Sequence, residues 1–171
     1  LAVTDSRSNP PGLKELRENF PDMAVFLGDF DADAFNAAEQ IVVSPGVSLQ
    51  EPLIVDALRR GVPVFGDIEL FAQRVSAPVI AVTGSNGKST VTQLVAEMIV
   101  EASKTVCVGG NIGVPALDLL SQSTPDFYVL ELSSFQLETT HSLNPAAAVI
   151  LNISPDHMDR YQALGAYVSA K

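Results

Sequence analysis

Short apolar runs, cut by glycine, proline and acidic residues, alternate along this chain with segments whose apolar positions fall three and four apart. That alternation predicts strands and helices in turn. Residues 1–5 read as the end of a strand whose preceding turns lie outside the chain. The polar turn Ser6-Arg7-Ser8-Asn9-Pro10-Pro11-Gly12 follows, then a short helix over Leu13–Asn19 with Leu13 and Leu16 inward. Residues 23–27 predict a strand, Asp31 opens a helix with acidic residues in its first turn, and 40–43 predict a buried strand ended by Ser44-Pro45-Gly46. A helix over 51–60 stops at Gly61, a strand covers 62–65, and a helix covers 68–75.

The alternation then restarts. The run Val79-Ile80-Ala81-Val82 leads into Thr83-Gly84-Ser85-Asn86-Gly87-Lys88-Ser89-Thr90, and the apolar positions 91, 94, 95, 98 and 99 after it predict a helix packed on a sheet. Strand, glycine loop, lysine, hydroxyl and helix together make an anion cradle. The free N–H groups and positive end of the helix meet a phosphate, Lys88 adds a point charge, and Ser89 offers an oxygen to a magnesium ion. A common P-loop has glycine at the position of Val82; here the extra glycine is Gly84. The plainer alternative is a glycine turn before a helix.

Further strands are predicted over 105–108, 127–132 and 146–151, with the glycine-rich stretch 109–113 and a helix from Pro115 between the first two. The fold class expected is α/β: an incomplete Rossmann-like N-terminal domain over 1–76, then part of a P-loop parallel-sheet ATP-binding domain over 77–171. The boundary falls at 76/77 because a phosphate loop usually sits on the first strand of its own sheet.

Composition changes this picture little. Lys+Arg of 10 against Asp+Glu of 20 gives a net charge of −10, which argues against nucleic acid or an anionic membrane as partner and makes any phosphate site local. Cys107 is the single cysteine, so no internal disulfide forms, and its apolar run makes it a small core residue. No stretch is apolar enough to span a bilayer and no signal order opens the chain, so a cytoplasmic location is expected.

Polar residues at the ends of parallel strands are where open α/β sheets bind ligands. Glu131 closes the run 127–130 and can hold magnesium against phosphates; its plainer reading is a solvated strand-end carboxylate. His157, in Asp156-His157-Met158-Asp159-Arg160, can ligate metal or contact phosphate, or be an ordinary loop histidine. Asn111 lies between Gly110 and Gly113, which permits close approach of a ligand or simply a turn. His141 has no cluster around it, and Lys171 is by physics alone a helix lysine.

These pieces together resemble the Mur ligase superfamily. The loop at 83–89 resembles that family's variant phosphate loop, which accounts for the displaced glycine. The strings at 109–113, 131–138 and 156–161, with Asp5-Ser6-Arg7, Ser44-Pro45-Gly46 and Gly66-Asp67-Ile68-Glu69-Leu70-Phe71, are similar to the branch that joins D-glutamate to UDP-N-acetylmuramoyl-L-alanine. The resemblance implies an ATP-dependent ligase working through an acyl phosphate, in the cytoplasm, with no nucleic-acid or membrane partner, as a monomer. It implies that Gly84, Ser85, Asn86, Gly87, Lys88, Ser89 and Thr90 hold ATP. Of two Mg2+ ions, Ser89 and Glu131 would hold one, and His157 with a carbamylated Lys171 the other. Asn111, Ser133 and Gln136 would contact the sugar-peptide, and Asp5, Ser6, Arg7 and Gly46 the uridine diphosphate end. The family's first strand, the rest of its ATPase domain and its D-glutamate domain are expected to lie outside this chain, which alone would be inactive. Two other readings differ in testable features. A folate-glutamate ligase would have no use for Asp5-Ser6-Arg7, and a nucleotide switch would have no use for His157.

Overall fold

The computed structural model describes residues 1–161 and 163–171. The chain forms two compact units, one of residues 1–41 with 49–64 and one of residues 42–48 with 65–171.

In the first unit β1 (Ala2–Asp5) pairs in parallel with β2 (Ala24–Leu27), placing Ala2 beside Ala24 and Asp5 beside Leu27. Helix α1 (Leu13–Asn19) connects them. In α2 (Ala32–Ala37) the Asp31 side chain accepts from the Ala34 N–H at 2.7 Å, an N-cap that satisfies a donor the helix itself cannot. Helix α3 (Pro52–Arg59) starts with proline at its first position, and Gly61 follows its end with φ of 79°, the left-handed residue a helix stop favours. Phe35, Ile54 and Ala57 fill the space between α2 and α3. Two short strands whose residues are divided between the units, β3 (Ile41–Val42) and β4 (Val64–Phe65), form another two-stranded sheet.

The second unit is a four-stranded parallel sheet in the order β6-β7-β5-β8. Its strands are β5 (Val79–Thr83), β6 (Val106–Gly110), β7 (Phe127–Glu131) and β8 (Ala147–Ile150). Side chains alternate between faces, so Val79 and Ala81 of β5 join Tyr128 and Leu130 of β7 in one core. Ile68 and Phe71 of α4 (Asp67–Ala72) and Ala116 and Leu119 of α6 (Ala116–Leu119) close over that face. Phe71 and Tyr128 meet edge to face with ring centres 5.3 Å apart.

The other face carries α5 (Lys88–Glu101), where Val91, Val95 and Ile99 of the expected stripe are half-buried but its other two positions are not. Thr92 and Ala96 are the buried residues, while Leu94 and Met98 stand 52% and 70% exposed. The loop fixes where the helix begins and hence which side faces the sheet. Small residues on that side let it lie close. Cys107 is half-buried and packs against the core rather than lying within it.

Register matters most at the carboxyl edge. Gly110 lies beside Glu131, Glu131 beside Val82, and Thr83 beside Ile150. The residues that follow each strand therefore emerge at one level. Two further helices complete this edge, α7 (Ser134–Leu137) and α8 (Leu164–Ala170). The string 133–138, expected only to lie between two strands, holds α7. Its Ser133 and Gln136 form a capping box, the local signature of a helix start.

Candidate functional site

The loop between β5 and α5 turns through Gly84 and Gly87, with φ of 146° and 81°, angles that a Cβ disfavours. Lys88, the first residue of α5, folds back so that its Nζ donates to the carbonyls of Gly84 and Ser85, both at 3.1 Å. Lys171, directly after α8, reaches the same place. Its Nζ donates to Gly84 O at 3.0 Å and to Thr83 Oγ1 at 3.1 Å, 5.0 Å from the Tyr167 ring centre. Two ammonium groups thus share one carbonyl. Burial lowers the pKa of Lys171, Lys88 lowers it further, and Asp156 opposes them.

Glu131 ends β7 only 1% exposed. Its Oε2 accepts from Ser89 Oγ at 2.7 Å and its Oε1 from Asn111 Nδ2 at 2.8 Å. Those donors are neutral, and the ion pairs among the described residues do not include it. A buried carboxylate with only neutral partners favours a cation, and an adjacent hydroxyl is a suitable second oxygen for magnesium.

Gly84, Lys88, Asn111, Ser133, Phe135, Asp156, His157, Tyr167 and Lys171 line a cleft of about 170 Å³. His157 has φ of 54°, and its ring lies between Phe135, with centres 4.7 Å apart, and the Asp156 carboxylate at 3.6 Å. Arg160 stacks over Phe135 at 4.1 Å, pairs with Glu138 at 2.8 Å and donates to Pro45 O and Val47 O at 2.9 and 3.2 Å. That guanidinium holds the turn containing Gly46 in the second unit.

Residues 82–171 match the Mur ligase middle domain, and residues 1–66 match the MurD-like N-terminal domain of Mur ligases. The chain belongs to the Mur ligase family. It is 61% identical over 171 residues to UDP-N-acetylmuramoylalanine–D-glutamate ligase of Nitrosococcus oceani and 58% identical over 171 residues to that of Marinobacter nauticus. Each match takes in 100% of this chain and 38% of the relative, so the chain spans well under half the length of these Mur ligases. Two solved Mur ligases share the fold. A UDP-N-acetylmuramate:L-alanyl-gamma-D-glutamyl-meso-diaminopimelate ligase of Neisseria meningitides has TM-score 0.57 and 21% identity, over 99% of this chain and 57% of that one. The UDP-N-acetylmuramate–alanine ligase of Thermotoga maritima has TM-score 0.51 and 25% identity, over 99% of this chain and 39% of that one.

Of the residues expected to form a Mur ligase site, Gly84, Lys88, Asn111, Ser133, His157 and Lys171 meet in the cleft, and Ser89 joins Glu131 beside it. Gln136 is 3% exposed and turned inward. Its Oε1 accepts from Ser133 N at 3.1 Å and its Nε2 donates to Asp67 Oδ2 at 2.9 Å. In the first unit Asp5 and Arg7 form a bidentate pair at 2.9 and 2.7 Å. Arg7 holds the Asp5 carboxyl down at about 2. Sequence reasoning assigned nothing to Thr83, Phe135, Asp156, Arg160 or Tyr167. Asp156, beside His157, and Phe135, inside a polar string at a strand end, carried a positional signal; Tyr167 carried none. Among the described residues no helix is long and apolar enough to cross a membrane, and no three His, Cys, Asp or Glu side chains gather as for a metal ion.

Proposed function

We propose that this chain forms the nucleotide-binding part of an ATP-dependent amide ligase that joins D-glutamate to UDP-N-acetylmuramoyl-L-alanine, a cytoplasmic step in building peptidoglycan precursors. One observation carries the reading most. Lys88 and Lys171 converge on the Gly84 carbonyl in a cleft whose lining includes Asp156 and His157, in a chain 61% identical to a ligase of that name.

Residues 77–171 take the nucleotide. Lys88 and the amides opening α5 bind the β and γ phosphates, where two positive features meet the charge of phosphoryl transfer. The γ-phosphoryl group passes to the alanine carboxylate of the UDP-linked substrate, and the amine of D-glutamate then displaces phosphate from the acyl phosphate. Bound Mg2+ supplies charge neutralisation on the phosphates and the reacting carboxylate. Ser89 and Glu131 fit one ion, since Glu131 is buried without a cationic partner. For the second, His157 offers a ring nitrogen and Lys171 a carbamate. The lowered pKa of Lys171 favours the neutral amine that adds to carbon dioxide, turning a cation into an oxygen ligand.

Asn111 and Ser133, on the cleft wall, contact the sugar-peptide, and Gln136 acts from behind by fixing Ser133. Residues 1–76 serve the uridine nucleotide through Asp5, Ser6 and Arg7, with Gly46 assigned to the same end.

The deciding experiment gives a protein of the relatives' full length ATP, the UDP-linked acceptor and three competing amines: D-glutamate, meso-diaminopimelate and L-lysine. D-glutamate alone is incorporated, with one ADP and one phosphate per bond formed. Incorporation of either other amine overturns the reading. Residues 1–171 alone are expected to ligate nothing.

A further inference from the structure

The phosphate loop is gripped from outside its own strand and helix, by the segment that follows β8. The carboxamide of Asn152 makes a reciprocal pair with the main chain of Asn86. Its Oδ1 accepts from Asn86 N at 2.9 Å, and its Nδ2 donates to Asn86 O at 2.9 Å. The Asn152 carbonyl accepts from Ser85 N at 3.0 Å. Ser85 Oγ donates to Ser154 O and accepts from Ser154 N, both at 3.0 Å, and Asn86 Nδ2 donates to Ser154 Oγ at 3.3 Å. The two segments lie flush, for a Cβ added at Gly84 would stand 3.1 Å from Leu151 Cβ and 3.3 Å from Asn152 N.

A carboxamide is chemically a peptide group. The β5–β8 ladder ends with Thr83 beside Ile150, and the Asn152 side chain adds one more rung beyond it. This decides which way the loop amides point. The N–H groups of Ser85 and Asn86 are committed to Asn152, so the donors left for a phosphate are that of Gly84 and, past the anchored pair, those of Gly87 and the first turn of α5, which have no partners within the helix.

We infer that Asn152 is a positioning residue for nucleotide binding. Its carboxamide fixes the phosphate loop in the shape that turns the amides from Gly87 onward toward phosphate, and ties that loop to the turn bearing Asp156 and His157. Ser85 and Asn86 are then the anchors of the loop, not ligands of the nucleotide. The inference rests on the nucleotide-binding reading above, but not on the identity of the amine.

The test uses the full-length protein with ADP as the probe. Asn152→Leu keeps the side-chain volume and removes both hydrogen bonds; ADP binds about tenfold more weakly, and KM for ATP rises by a similar factor. KM for D-glutamate and the melting temperature of the unliganded protein stay as in the parent. Amide exchange at Asn86 quickens while that of β5 does not change. Asn152→Asp keeps the acceptor but sets a carboxylate oxygen against Asn86 O, and it weakens ADP at least as much. Parent-like ADP affinity in either variant overturns the inference, as does a loss of kcat with ADP affinity intact. If the unmodified protein binds no ADP, the nucleotide reading fails and takes this inference with it. If it binds ADP but ligates another amine, only the ligase reading fails, and the variants' ADP affinities still decide the role of Asn152.

Discussion

Ser89 Oγ donates to Glu131 Oε2 at 2.7 Å, joining the first turn of α5 to the end of β7 across 42 residues of sequence. Asn111 occupies the other carboxylate oxygen, and the group is 1% exposed. A buried anion with neutral donors alone is an unfavourable arrangement that a cation relieves. Glu131→Gln should therefore leave the unliganded protein no less stable while lowering ligation by the full-length enzyme about a hundredfold or more. Thermal melting with and without Mg-ATP separates the two effects: the ligand-induced rise in Tm expected of the parent should be lost in the variant. A variant that keeps that rise would remove Glu131 from metal binding.

The glycine loop between β5 and α5 and the place of Glu131 at the end of β7 were legible because both depend on local rules. A glycine loop must follow a strand and open a helix, and a strand-end carboxylate emerges where parallel sheets bind ligands. Val91, Val95 and Ile99 were legible as the inner side of α5, but which neighbours complete that face was not, since Leu94 and Met98 satisfy the helical period as well as Thr92 and Ala96 do. The choice between them is made by the distance to the sheet, a tertiary quantity. Gln136 was named from resemblance as a substrate contact. The capping box Ser133-x-x-Gln136 was present in the sequence and would have assigned its carboxamide to the helix start. Tyr167 meets Ser85 Oγ at 2.8 Å over 82 residues, and no local pattern announces such a pairing.

The face assigned to α5 is checked by two substitutions. Leu94→Gln changes a side chain 52% exposed and should shift stability by less than about 0.5 kcal/mol. Ala96→Leu forces extra volume against the sheet from a site 3% exposed and should cost about 1–3 kcal/mol. Urea denaturation of both variants gives the comparison, and equal midpoints would contradict the packing described.

Glu69 gives the second unit a pH dependence. Burial raises its pKa, but that effect is outweighed by N–H donors from His141 at 2.6 Å and Ser142 at 2.9 Å, with Gln73 adding a third contact, so the carboxyl titrates near about 2 instead of 4.5. A carboxylate depressed on folding stabilises above its unfolded pKa and loses that contribution as pH falls through its folded value. The loss should run from about pH 5 to about pH 2 and amount to roughly 2–3 kcal/mol. Glu69→Gln should be destabilised at pH 7 and show a flatter stability profile over that window by chemical denaturation. Parallel profiles for parent and variant would dismiss the clamp.

In the first unit the Asp5–Arg7 pair presents a fixed guanidinium. Arg7 is still 63% exposed while two of its nitrogens hold Asp5, so the remaining donors can meet a phosphate. Arg7→Lys cannot make the same fork and should raise KM for the UDP-linked acceptor about tenfold, nearly as much as Arg7→Ala, with kcat little changed. Steady-state kinetics with the acceptor varied at saturating ATP reads this directly. Full recovery by lysine would reduce the role of Arg7 to its charge.

The chemistry of Lys171 depends on its neighbours. Burial and the Lys88 ammonium both disfavour its protonated form, which leaves more neutral amine at a given pH than an ordinary lysine has. Only the neutral amine adds to carbon dioxide, and a carbamate formed there would be an anion that the Lys88 cation stabilises. Removal of Lys88 acts on both sides of that equilibrium in the same direction. With 13C-labelled bicarbonate, the full-length protein should give a carbamate resonance that is absent from Lys171→Arg and weaker in Lys88→Met at the same pH. As pH falls the amine protonates and the signal is lost, at a higher pH in Lys88→Met than in the parent. A resonance undiminished in Lys88→Met would mean that the two ammonium groups, though they share the Gly84 carbonyl, do not set each other's chemistry.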